Sequence, residues 1–181
     1  MTPPSTTKPA ICIRQFREED LPEVAEIFEY GMMLYSKNDP VSRHRWAEYV
    51  RKSIKDDLAD VHGTYIATGG NFWVATVEDN NGESRVAGMI GLHPNGNGKA
   101  EVRRVSVHPN YQRMGIGRKL MTQLVQWAAT HRFKTLVLTA SYAEKTKAVA
   151  FYTSFGFKNG DSFMLWENPS HEAFWMIKTL P

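Results

Sequence analysis

Residues 101–121, EVRRVSVHPNYQRMGIGRKLM, constrain the fold more than any other stretch, because they write a strand, a two-glycine turn and a helix start in direct succession. Val105, Ser106 and Val107 alternate as a strand does. Pro109 has no N–H to donate and stops the ladder. Gln112-Arg113-Met114-Gly115-Ile116-Gly117 forms the turn, and Arg118-Lys119-Leu120-Met121 opens a helical pattern. A helix start leaves several backbone N–H groups without intrahelical partners and carries partial positive charge. Gly115 and Gly117 let a ligand approach the main chain closely, and Arg113, Arg118 and Lys119 add full charges. The turn therefore suits a pyrophosphate. It is not a P-loop, since Gly117 is followed by Arg118-Lys119 rather than Lys-Ser/Thr, and it lacks the three-glycine spacing of a dinucleotide-binding turn.

A second motif narrows the reading. Ala148-Val149-Ala150-Phe151-Tyr152-Thr153-Ser154-Phe155-Gly156-Phe157 has the form A-x-x-F-Y-x-x-x-G-F. Together with Gln-x-x-Gly-x-Gly after a strand, it resembles the GCN5-related N-acetyltransferase (GNAT) superfamily, in that family's order and separation. The resemblance covers residues 70–160 well and the flanks in outline. It implies a single-domain α/β fold with a mixed, mostly antiparallel sheet flanked by helices. It implies acetyl-CoA as cofactor, a primary amine on a small molecule or peptide as acceptor, and direct attack without a covalent enzyme intermediate. The cofactor-binding set it implies is Val105, Ser106, Val107, Gln112, Arg113, Met114, Gly115, Ile116, Gly117, Arg118, Lys119, Lys145 and Ala148. Many members carry Asn seven residues before the motif tyrosine; here that position is Lys145, and Lys145 and Lys147 are read either as contacts to CoA phosphates or as a solvated face. The stretch also looks somewhat like the camello-type membrane-linked acetyltransferases, whose apolar segment is not present in these residues.

Composition sets the remaining bounds. A chain of 181 residues fits one domain with a genuine core, expected over 11–181 behind a loose polar tail, 1–10. The net charge of +3 comes without a basic stripe, so nucleic acid is not an expected partner. No apolar run is long enough to span a bilayer and the first residues lack an apolar signal region, so no membrane partner and a cytoplasmic location are expected. The one cysteine, Cys12, excludes an intrachain disulfide and is expected as a packed thiol. The six histidines show no metal-ligand spacing, so no metal is expected; His93 and His108, each before a proline, read as turn residues. Exposed sheet edges are compatible with a homodimer.

Along the chain, residues 11–16 read as a strand, and Asp20 with Glu23 as a capping box for a helix reaching about Ser36. Asn38-Asp39-Pro40 reads as a break, and residues 45–61 as a second helix carrying Trp46, Val50, Ile54 and Leu58. These helices are implied to wall the acceptor site, with Met32, Met33, Tyr35, Trp46 and Tyr49 serving first as core. Strands are expected at 72–78, at 85–93 ended by Pro94, and at 100–108, forming a meander. A helix at 115–131, a central strand at 135–139, a helix at 145–155 and a last strand at 173–180 complete the pattern.

Two side chains are candidates for chemistry. Tyr152 matches the tyrosine of the family's F-Y pair and would act as general acid: a phenol near ~10 can protonate a thiolate whose parent thiol lies near ~8.5. Its plain alternative is a packing tyrosine beside Phe151. Glu101, eleven residues before Gln112, takes the spacing of the glutamate base in the histone-acetylating branch. A carboxylate near ~4.3 needs apolar neighbours or a relaying water to serve an ammonium, and the neighbouring Arg103 and Arg104 work against the first. Those arginines alternatively hold an acidic group of the acceptor. The competing function, from another class, is a non-catalytic acyl-CoA-binding module.

Overall fold

The structure is a computed structural model describing residues 9–36, 39–78, 82–141, 147–167 and 170–181. The expected tail is therefore described only from residue 9, and Lys145 and the 79–82 turn, save Gly82, lie outside the described residues. Seven strands form one sheet in the order β1-β2-β3-β4-β5-β7-β6. They are β1 Ile11–Gln15, β2 Asn71–Glu78, β3 Ser84–Gly96, β4 Lys99–Val107, β5 Thr135–Ser141, β6 Lys158–Glu167 and β7 Ser170–Thr179. Every pairing is antiparallel except β4 with β5. Among the described residues four α-helices accompany the sheet: α1 Leu21–Met33, α2 Pro40–Lys55, α3 Ile116–Thr130 and α4 Lys147–Thr153.

Strand alternation divides the core between the two faces of the sheet. Trp73, Ala75 and Val77 of β2 join Ile116, Leu120, Leu124 and Ala128 of α3 in one cluster. Phe72 and Val74 join Val24, Ile27 and Phe28 of α1 and Val50 of α2 in the other. The fold expected from the sequence is the one observed, with five local corrections. The capping box at Asp20 does not form: its carboxylate accepts from both guanidinium nitrogens of Arg14 at 2.7 Å and from the Arg17 N–H at 2.8 Å. Pro40 starts α2 rather than breaking the chain, because Asp39 caps the N–H groups of Val41 and Ser42 and Pro40 takes the first helical position, where an N–H is not needed. α2 ends at Lys55, and residues His62–Ile66 form a separate single turn of π-helix. β3 runs through Pro94 to Gly96, and Cys12, expected as packed, is exposed on β1.

Candidate active site

β4 is where the sheet changes character. Met89 pairs with Ser106 and Gly91 with Arg103, so Ile90 alone faces two residues, Arg104 and Val105. Arg104 adopts a left-handed backbone, φ 58°, as the bulged residue. A bulge bends and twists its strand, and the parallel ladder to β5 ends three residues before it. It joins Lys99, Ala100 and Glu101 to Thr135, Leu136 and Val137, while β4 continues to Val107 and β5 to Ser141. The two strands part beyond Glu101. The His108 N–H donates to the Ala87 carbonyl of β3 at 2.9 Å. Backbone groups alternate between edges along a strand, so Val107 and Val105 turn theirs towards the gap.

The turn after β4 follows directly. His108 Nδ1 accepts from the Asn110 N–H, starting a 3₁₀ turn over Pro109–Tyr111, in keeping with a turn role for His108. Arg113 (φ 64°) and Gly115 (φ 83°) both take left-handed backbone, and no side chain caps the start of α3. A Cβ on Gly115 would meet nothing within 4 Å, whereas one on Gly117 would lie 3.7 Å from both Val107 Cγ2 and Phe151 Cζ. Gly117 thus sits between β4 and α4. Gln112 reaches back to the Val107 carbonyl at 3.5 Å. The Arg118 side chain turns to α4, donating to Ser154 Oγ at 3.4 Å with its guanidinium 5.2 Å from the Phe155 ring, so it faces the helix rather than the turn.

A cavity of about 480 Å³ opens between the parted strands and the helices, within the ~300–1,000 Å³ common for small-molecule sites. Glu101 through Ser106 form one wall and Leu138, Thr139 and Ser141 of β5 another. Phe28, Met32, Tyr35, Trp46 and Tyr49 enclose it from α1, α2 and their connection; Phe163, Leu165, His171 and Trp175 do so from the β6–β7 hairpin. Tyr152 of α4 also lines it, its ring edge-on to Phe151 at 5.4 Å. The structure thus brings Glu101, Val105, Ser106 and Tyr152 to one cavity. Val107, residues 112–119 and Ala148 lie outside its lining. Four of the five aromatic and methionine residues singled out on the first two helices face it.

Among the described residues, the carboxylate and both guanidiniums lining the cavity are already paired. Glu101, its side chain 16% exposed, accepts from Arg103 at 2.6 Å. Burial acts to lower the Arg103 guanidinium, the hydrogen bond and charge of Glu101 raise it, and the net shift is upward. Arg104 is bound by Asp57 through Nε at 2.9 Å and Nη2 at 2.5 Å, and its guanidinium lies 4.4 Å from the Phe28 ring centroid. Asp57 also accepts from the Tyr65 hydroxyl. Burial would lower Arg104, but its bonds to Asp57 prevail and raise it; for Tyr65, burial and then the Asp57 charge both raise the phenol. The sequence did not point to Asp57 or Tyr65, which lie 47 and 39 residues from Arg104 along the chain. Among the described residues no group of three or more His, Cys, Asp or Glu is placed to hold a metal, and no helix is long and apolar enough to cross a membrane.

The strand–turn–helix, the bulged β4 and the parting of β4 from β5 coincide with a direct match: residues 32–157 fit the family described as "Acetyltransferase (GNAT) family". The chain belongs to the GNAT acetyltransferase family. It is 31% identical over 126 residues to "N-acetyltransferase 8" of Rattus norvegicus, covering 66% of this chain and 54% of that one. It is 28% identical over 135 residues to "N-acetylaspartate synthetase" of Xenopus tropicalis, covering 74% and 46%. The chain spans about half the length of the curated relatives it matches. Among solved structures, a GNAT-family acetyltransferase from Staphylococcus aureus Mu50 superposes with a TM-score of 0.72 at 21% identity, covering 95% of this chain and 100% of that one. Ard1 from Thermoplasma volcanium does so with a TM-score of 0.72 at 20% identity, covering 95% and 99%. These likenesses are of fold.

Proposed function

We propose that this GNAT-family chain is an acetyl-CoA-dependent N-acetyltransferase that transfers the acetyl group to a primary amine by direct attack. The observation that carries this reading is the coincidence of the β4–β5 gap with the uncapped start of α3, with Glu101 and Tyr152 both lining the cavity at that gap. The residues fit the cofactor. The edge of β4 at Val105 and Val107, beyond the β5 ladder, offers main-chain partners to an extended pantetheine arm, and Gly115, where a Cβ would meet nothing within 4 Å, leaves room for a diphosphate to approach the main chain of the turn. Ser106, Gln112, Arg113, Met114, Ile116, Arg118 (through its main chain), Lys119 and Ala148 complete the holding set, and Lys145 is kept in it on the resemblance alone.

When bound, acetyl-CoA supplies an activated acetyl thioester and a thiolate leaving group. The Val105 or Val107 N–H would donate to the acyl oxygen of a thioester bound in the gap. Glu101 accepts the proton of the acceptor ammonium, directly or through a water, and its pairing with Arg103 keeps the carboxylate oriented into the cavity. Tyr152 holds a proton at its hydroxyl for the leaving sulfur. The chain's one thiol, Cys12, lies on an edge strand outside the cavity lining, in keeping with transfer that does not pass through an enzyme thioester. The test is thiol release from acetyl-CoA across a panel of amines, with calorimetry of acetyl-CoA binding alongside. Binding without thiol release for any amine refutes the enzymatic reading.

A further inference from the structure

We propose that the acceptor is a primary amine carried on a neutral aromatic or bulky apolar body. This rests on the cavity being the acceptor site of an acetyltransferase, and it turns on which charges the cavity leaves uncommitted. Among its described lining residues the only carboxylate is Glu101, and it already holds Arg103 at 2.6 Å. A polyamine would bring further ammonium groups and find no second carboxylate among the described lining residues. Of the two lining guanidiniums, Arg104 is bound at two nitrogens by Asp57, and both partners are nearly buried, with side chains 11% and 8% exposed. Arg103, 33% exposed, is held by Glu101, so a dicarboxylic amine would have to displace Asp57 from Arg104 or set a carboxylate beside Glu101. An unpaired buried charge is strongly unfavourable.

Apart from Ser106, Thr139, Ser141 and His171, the surface that remains is aromatic and aliphatic, and it comes from two walls that meet where Trp46 packs on Trp166 and His171. Met32 and Tyr35 line one, with Tyr35 stacked at 5.0 Å between centroids on the buried ring of Trp46. Phe163, Leu165 and Trp175 line the other, with Phe163 and Trp175 in ring contact at 5.4 Å. Leu165 remains 37% exposed, so this apolar wall runs out to solvent, where an acceptor enters. An apolar body laid between the walls removes this surface from water and leaves its amine to Glu101.

The experiment compares 2-phenylethylamine, 2-cyclohexylethylamine, ethylamine, spermidine and aspartate as acceptors at saturating acetyl-CoA. The expected result is that the first two exceed each of the others in kcat/KM by on the order of tenfold or more, the discrimination an apolar pocket commonly gives. Leu165→Asp, at a half-exposed site that does not threaten folding, should narrow that ratio and raise turnover of spermidine. Aspartate or spermidine equal to the arylalkyl amine in the native chain overturns the proposal. Calorimetry of the CoA-bound chain with 2-phenylethylamine and with spermidine separates this from failure of the acetyltransferase reading. Preferential binding of the arylalkyl amine without thiol release upholds the site's chemistry and refutes the enzyme; no preference refutes the proposal itself.

Discussion

Substituting Asp57 tests whether the bulge of β4 depends on a buried charge. Asp57 faces Arg104 at 2.5 and 2.9 Å and receives the Tyr65 hydroxyl, and Arg104 sits in left-handed backbone that a non-glycine residue adopts at some energetic cost. Asp57→Asn keeps the shape but removes the charge and turns an amide donor towards guanidinium donors. Breaking a buried pair by neutralising one partner costs about 3–5 kcal/mol, because the other charge stays buried and uncompensated. For a chain of this size that is a fall of roughly 6–20 °C in Tm. Urea unfolding of the native chain, Asp57→Asn, Arg104→Gln and the double variant forms the cycle. The double variant should cost less than the sum of the singles by at least about 1 kcal/mol, since the second change removes the charge stranded by the first. Because the bulge opens the gap beside β5, acetyl-CoA affinity should fall in both single variants at temperatures where they remain folded. A loss below about 1 kcal/mol with additive singles would show that water already solvates this pair, and the reasoning that ties the gap to it would fail.

Other expectations follow from the same geometry. Glu101→Gln and Tyr152→Phe should each lower kcat by about 10²–10⁴-fold while calorimetry finds acetyl-CoA affinity retained; a variant with native turnover has no part in proton transfer. Gly117→Ala has ordinary van der Waals room, 3.7 Å to its nearest neighbours, so stability should change by less than about 0.5 kcal/mol, while acetyl-CoA affinity falls roughly tenfold or more if the main chain there meets the cofactor. Gly91→Ala would set a Cβ 2.8 Å from Tyr65 Cε1 and 3.0 Å from Phe72 Cδ2, and this overpacking should cost about 1–3 kcal/mol in urea unfolding. Tyr65 sets a pH dependence. Its folded pKa is raised, by burial first and by Asp57 second, above the ordinary value of 10.0. Below that pH both states keep the proton and the contribution is whole. Above it the unfolded chain loses the proton first, and stability falls by about 1.4 kcal/mol per pH unit until the folded phenol titrates. Subtracting the pH profile of Tyr65→Phe from that of the native chain should isolate this slope; a flat difference above pH ~10 would contradict it.

How much was legible in the sequence follows from the distance over which each feature is decided. Gly115 and Gly117 were readable because a left-handed turn and a close approach of main chain are demanded locally, and the same residues serve whatever lies around them. Glu101 and Arg103 stand two apart on a strand and so share a face, which is why Arg103 could be read as working against a raised Glu101 carboxylate. Cys12 was misread although its neighbours held the answer: if Ile11 and Ile13 point inward, period two sends the residue between them out. Asp39-Pro40 is a different case, since that dipeptide writes a chain break and a helix start equally well, and only the Asp39 carboxylate on the Val41 and Ser42 N–H groups decides between them. Asp20 fits a capping box in sequence, yet Arg14, six residues earlier on β1, competes for its carboxylate and wins with two charge-assisted bonds. Asp57, Phe163 and Trp175 gave no local signal, because their roles exist only once α2, β4 and the β6–β7 hairpin meet. The machinery that would grip a cofactor is largely backbone and is written in contiguous motifs. The walls that would choose an acceptor are side chains gathered from distant segments, so specificity became readable only from the assembled cavity.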